Sequence, residues 1–173
     1  MPRSRFIATL LLMLCATGPA RTLDPKGVDL LMLRLGMTEA EVTAVLAAQA
    51  YTGPDFQRST RSCTADRVAR CEVLITTRTM DGRLDVRLAR VDPILGVPVA
   101  TSIVYTFDGR RPAEREAIAI SAQERYGRPD IGHPMTWCRL LPGQDRCAPG
   151  SAQLTLRPGT PPTQVLALTD GEP

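Results

Sequence analysis

The chain has 173 residues, with 21 basic and 18 acidic side chains, one histidine, five cysteines and 4% aromatic residues. That length suits one domain with a real core, and so few rings argue against an aromatic-lined sugar or nucleobase groove. The net charge is only +3 and falls to near +1 without the N-terminal leader read next, too little to call for a nucleic-acid or anionic-membrane partner.

Arg3 and Arg5 give the chain a positive start, Phe6 to Ala16 is an apolar run broken only by Thr9, and Gly18-Pro19-Ala20 follows. Small residues therefore stand at the −3 and −1 positions of a cut after Ala20. This is the order of a secretory signal peptide over residues 1–20, and the run is shorter than the roughly 20 residues a membrane-spanning helix needs. Cys15 follows Leu14, whereas a lipoprotein peptidase requires a small side chain at that place. A lipid anchor at Cys15 is therefore not expected, and Cys15 leaves with the leader. Residues 21–173 remain as a single exported domain, periplasmic or secreted, with 19 basic residues against 18 acidic ones. Four cysteines stay behind, and an even set in an exported chain points to disulfides.

The segment "LRLGMTEAEVTAVLAAQAY" carries the first strong local signal. Thr38 with Glu41 three residues later forms a capping box, Met37 and Val42 form a hydrophobic staple, and Val42, Val45 and Leu46 continue at helical spacing. The polar stretch after Tyr51, through Arg70, reads as a loop. "CEVLITTRTMDGRLDVRLARV" then reads as a hairpin. Val73, Ile75 and Thr77 alternate, Asp81-Gly82 supplies the turn, and Leu84, Val86 and Leu88 alternate on the return. The run "VATSIVYTF" places Val99, Thr101, Ile103, Tyr105 and Phe107 on one strand face.

The order then repeats. "RRPAEREAIAISAQERYGRP" reads as a helix with Pro112 near its first turn, an apolar face of Ala113, Ala117, Ile118, Ile120 and Ala122, and Gly127 as its stop. "MTWCRLL", "AQLTLRP" and "TQVLALTD" are strand candidates. The expected fold is α+β, with two αβββ halves at about 30–109 and 110–173 and both helices on one face of antiparallel sheet. Cys63 and Cys71 fall in one half, Cys138 and Cys147 in the other. Local pairing, Cys63–Cys71 and Cys138–Cys147, is the simplest of the three connectivities. Neither pair has the spacing of a zinc ribbon or a redox motif.

"LRLGMTEAEVTAVL" at 33–46, followed by "IVYTFDG" at 103–109, resembles the SmpA/OmlA, or BamE-like, group of bacterial envelope proteins. The tandem arrangement of β-lactamase-inhibitor-type folds also looks similar, and "YGRP" at 126–129 resembles the helix end of other periplasmic proteins of this build. The resemblance implies helices packed on antiparallel sheet in a small exported protein that binds other proteins rather than catalysing.

Residues for chemistry are few. His133 has only Asp130 as a nearby acid to orient it as a base. No nucleophile elbow, phosphate-binding glycine loop or His-Glu-x-x-His pair occurs. Ser121 and Ser151 have no activating context, and Glu114, Glu116 and Glu124 alternate with Arg115 and Arg125 as a solvated helix face. No cofactor, metal site or catalytic residue is expected. Arg58, Arg61, Arg67 and Arg70 surround the first cysteine pair as a candidate binding patch for an acidic protein or an anionic envelope polymer, and Trp137 is a candidate interface anchor. The expected function is non-enzymatic contact with an envelope protein partner. The alternative is a small periplasmic enzyme or enzyme inhibitor with its site on the cysteine loops.

Overall fold

A computed structural model of the chain describes residues 27–61, 72–91, 94, 96–108, 112–160 and 162–171. The leader with Cys15, the Cys63–Cys71 pair, Arg67 and Arg70 lie outside the described residues.

Chain order begins with a tight turn. The Leu30 and Leu33 amides and carbonyls bond each other at 2.9 and 3.1 Å, and this forces Leu31 and Met32 to positive φ, 54° and 64°. Leu30 and Leu33 both enter the core as a result.

Helix α1, Glu39–Ala48, starts at the capping box. The Thr38 amide donates to Glu41 Oε2 at 2.8 Å and the Glu41 amide to Thr38 Oγ1 at 3.4 Å. Its end is closed by Ala50 at φ 59°, with the Tyr51 amide donating to the Leu46 carbonyl and the Ala50 amide to that of Ala47. That is the bond pattern of a Schellman cap.

Seven strands make one antiparallel sheet. They are β1 Gln57–Arg61, β2 Glu72–Thr79, β3 Gly82–Val91, β4 Pro98–Phe107, β5 Met135–Cys138, β6 Gln153–Pro158 and β7 Gln164–Thr169, in the spatial order β1-β2-β3-β4-β7-β6-β5. Helix α2, Pro112–Tyr126, connects β4 to β5. The α+β arrangement stands, with one strand more than expected in the first half. β1 lies in the stretch read as loop. It pairs with β2 from Gln57↔Thr76 to Arg61↔Glu72, yet every residue in it is exposed, so it carries no apolar alternation to read.

The β2–β3 hairpin also turns one residue earlier than expected. Thr79 pairs with Gly82, leaving Met80 and Asp81 as the turn. Gly82 is needed for another reason: a Cβ there would stand 2.0 Å from the Thr106 carbonyl oxygen of β4.

One row of side chains spans the helix-covered face: Arg58, Ile75, Val86, Ile103, Leu168, Leu154 and Trp137 are successive cross-strand partners. All but Arg58 are essentially unexposed. Val42 and Leu46 of α1, with Ala122 and Tyr126 of α2, cover that face. The two halves join where β4 pairs with β7, from Ser102↔Thr169 to Phe107↔Gln164.

The inward side of α2 differs from the expected one. Ala122 is buried and Ile118 half-buried, but Ala113, Ala117 and Ile120 are exposed. Tyr126 is the anchor instead. Its hydroxyl donates to the Asp29 carbonyl at 3.1 Å, and Arg125 beside it bonds Asp29 Oδ1 at 2.6 Å. Burial pushes the Tyr126 phenol above its ordinary pKa.

The β5 edge is closed off by its own half. The Asp130 and Ile131 amides donate to the Thr136 carbonyl at 2.9 and 3.0 Å, and the Cys138 amide donates to Asp130 Oδ2 at 2.9 Å. Cys138 and Cys147 are disulfide-bonded, with Cα atoms 5.7 Å apart.

Candidate functional site: the helix-free sheet face

Alternation along each strand sends every second side chain away from the helices. Leu74 and Thr76 of β2, Val104 and Thr106 of β4, and Thr155 of β6 point that way, and all are half-buried. Ala167 at their centre is 9% exposed. Among the described residues no helix packs on this face. Its middle is a strip of methyl and hydroxyl groups, which neither repels an apolar contact nor leaves buried polar atoms unpaired.

Charge lies toward the β2–β3 side. Asp85 Oδ1 accepts from Thr76 Oγ1 at 2.6 Å, from Arg83 Nε at 3.0 Å and from Arg83 Nη2 at 2.8 Å. Arg87 Nε stands 3.0 Å from Glu72 Oε1. Arg78 is directly opposite Arg83 across the β2–β3 ladder. At the β6–β7 end, the disulfide-held loop makes a wall. A cleft of about 370 Å³ runs beneath it, lined by Arg87, Ser102, Gln153 and Thr169 from the strands and by Cys147 to Gly150 from the loop.

A second concavity, about 300 Å³, lies on the helix side between the 30–31 turn, α2 and the sheet. Leu30, Leu31, Ile118, Ala122, Tyr126 and Leu166 line it, with Arg125 at its margin. It exists because only the last turns of α2 are firmly seated.

The residues singled out from sequence distribute differently. Arg58 is exposed but engaged: its guanidinium bonds both carboxylate oxygens of Glu39, through Nε to Oε1 and at 3.0 Å through Nη2 to Oε2. That hydrogen bond holds the Glu39 carboxyl below the ordinary glutamate range. Arg58 therefore ties β1 to the first turn of α1, because its position on β1 faces the helices. Arg61 is exposed on the same strand.

Trp137 cannot anchor an interface. It is fully buried, its Nε1 donates to the Gly127 carbonyl at 2.9 Å, and its ring lies edge-on to Tyr126 at 6.0 Å between centroids. Its place at the end of the core row makes it a packing residue. His133 is exposed in the turn before β5, and Asp130 is engaged by the Cys138 amide. The Ser151 hydroxyl donates to the Ala148 carbonyl at 2.6 Å.

Among the described residues no three His, Cys, Asp or Glu side chains are placed to hold a metal ion, and no helix is long and apolar enough to cross a membrane. No protein-family model, curated protein or solved structure matches the chain.

Sequence alternation alone does not single out Arg78, Arg83 and Arg157 among the arginines of the helix-free face. The one signal that could have found them is period-two counting from the core positions: residues one step off Thr77, Leu84 and Leu156 must face outward.

Proposed function

We propose that the chain is an exported, non-enzymatic envelope protein that acts by docking another protein on its helix-free sheet face. The observation that carries this reading is the asymmetry of the sheet. Seven strands have one face sealed by two helices, while the other offers a half-buried Thr/Val/Ala strip with charged margins. An antiparallel sheet open on one side usually solvates that side with long polar residues. Here the middle of the face has short ones. Uncharged centre and charged rim is the anatomy of a protein–protein interface. The leader supports export, and the BamE-like resemblance of residues 33–46 supports binding over catalysis. The cysteine-loop alternative converges on the same surface, since the loop closed by Cys138–Cys147 walls it.

A photo-crosslinking residue placed at Val104 tests this in the native envelope, with the same residue at Ile120 on α2 as control. The expected result is a discrete protein adduct from position 104 and none from position 120. Adducts from position 120 alone would move the interface to the helices and overturn the reading.

A further inference from the structure

Resting on that reading, we propose that the docked partner is an acidic protein segment in extended conformation, with carboxylates four residues apart. One carboxylate would bridge Arg78 and Arg83, and the other would reach Arg157.

The sheet holds a conflict of charge. Arg78 and Arg83 are direct cross-strand partners, a placement in which like charges destabilise a sheet. Among the described residues, Asp85 is the carboxylate bonded to this pair, through Arg83. Both bonds from Arg83 go to Asp85 Oδ1, and that same oxygen already accepts from Thr76. Among the described residues Arg78 has no ion pair. Arg83 thus takes the one carboxylate bonded there, and Arg78 stands opposite it across the ladder on an exposed face.

The same row continues through Arg83↔Thr106, Thr106↔Val165 and Val165↔Arg157. Arg157 therefore stands three strands from Arg83, on the order of 14 Å at the usual interstrand spacing. Between these positive ends lie only a threonine and a valine. An extended segment rises about 3.4 Å per residue and repeats its facing every second residue. Acidic residues at i and i+4 then share one face and stand roughly 14 Å apart. The spacing of the arginines and the spacing of such a segment coincide, and the uncharged pair between them accepts the side chain at i+2.

A nine-residue synthetic peptide centred on Glu-Thr-Val-Thr-Glu is the probe, and its Gln-Thr-Val-Thr-Gln counterpart is the control. Affinity for the full chain is measured by NMR titration at low ionic strength. Arg78→Thr and Arg157→Gln should each weaken binding about fivefold. Arg115→Gln, on α2, should leave it unchanged, and the glutamine peptide should not bind. Arg78→Thr should also raise the melting temperature by about 1–3 °C, since it removes the repulsion and places a good strand former there.

Equal losses from the outer-face arginines and from Arg115 would overturn the proposal, as would a lower melting temperature for Arg78→Thr. Tighter binding of a heparin oligosaccharide through the same arginines would overturn it in favour of an anionic polymer. The two readings fail separately. If crosslinking from Val104 persists unchanged in Arg78→Thr, docking on this face holds and only the acidic partner is wrong.

Discussion

Replacing Trp137 probes the second half of the molecule most directly. The side chain is fully buried, ends the row that starts at Ile75, and meets Tyr126 edge-on. Trp137→Ala removes the largest buried side chain, and such truncations cost about 3–5 kcal/mol. Loss of the Nε1–Gly127 hydrogen bond adds about 1 kcal/mol. For a domain of this size each kcal/mol lowers the melting temperature by roughly 2–4 °C, so a drop of about 8–24 °C is expected. Trp137→Phe keeps a ring against Tyr126 but loses the hydrogen bond and part of the volume. About 2 kcal/mol, or roughly 4–8 °C, should be lost. Calorimetry is the proper assay, because Trp137 is the only tryptophan and its removal abolishes the tryptophan fluorescence signal. In the parent protein, iodide should quench that fluorescence poorly. An Ala variant melting within 2–3 °C of the parent, or a readily quenched indole, would refute the core placement.

Gly82→Ala should cost about 2–3 kcal/mol in chemical denaturation, because the new methyl meets the Thr106 carbonyl rather than a movable side chain; a neutral effect would mean that β3 and β4 separate freely at that end. Reduction of Cys138–Cys147, or its replacement by serines, opens a loop with a sequence separation of 9 and should cost about 2–3 kcal/mol by loop entropy. It should also make the Ala148 and Gly150 amides exchange hydrogen faster, and unchanged exchange would show that the cleft wall stands without the bond. Acid should loosen the α1 end first. The Arg58 hydrogen bond lowers the Glu39 pKa and the Thr38 backbone bond lowers that of Glu41, so both contribute stability fully present above about pH 5 and lost as pH falls through their folded-state values. The Glu39→Gln/Glu41→Gln double variant should therefore lose less melting temperature between pH 6 and pH 3 than the parent. A parallel fall in both proteins would remove these carboxylates from the account of acid sensitivity.

Features whose causes lie within a few neighbouring residues were legible in the chain itself. The Thr38–Glu41 box starts α1 because both partners lie within one turn. β2, β3 and β6 show alternation because one side of each strand is buried. Cys138 pairs with Cys147 because so short a loop keeps the thiols at high mutual concentration. Long-range placement was decided only in the assembled sheet. β1 owes its existence to the free edge of β2 and not to any apolar residue of its own, so its sequence resembles a loop. Arg58 reads as surface charge until strand pairing puts it beside Glu39. The inward side of α2 is set by Tyr126 reaching back to Asp29, 97 positions away, a contact that no helical periodicity encodes. Trp137 became core rather than interface because β5 closes the sheet beside β6. The arginine row of the helix-free face exists only through register: one step of slippage in the β2–β3 ladder would turn Arg78 to the other side and away from Arg83.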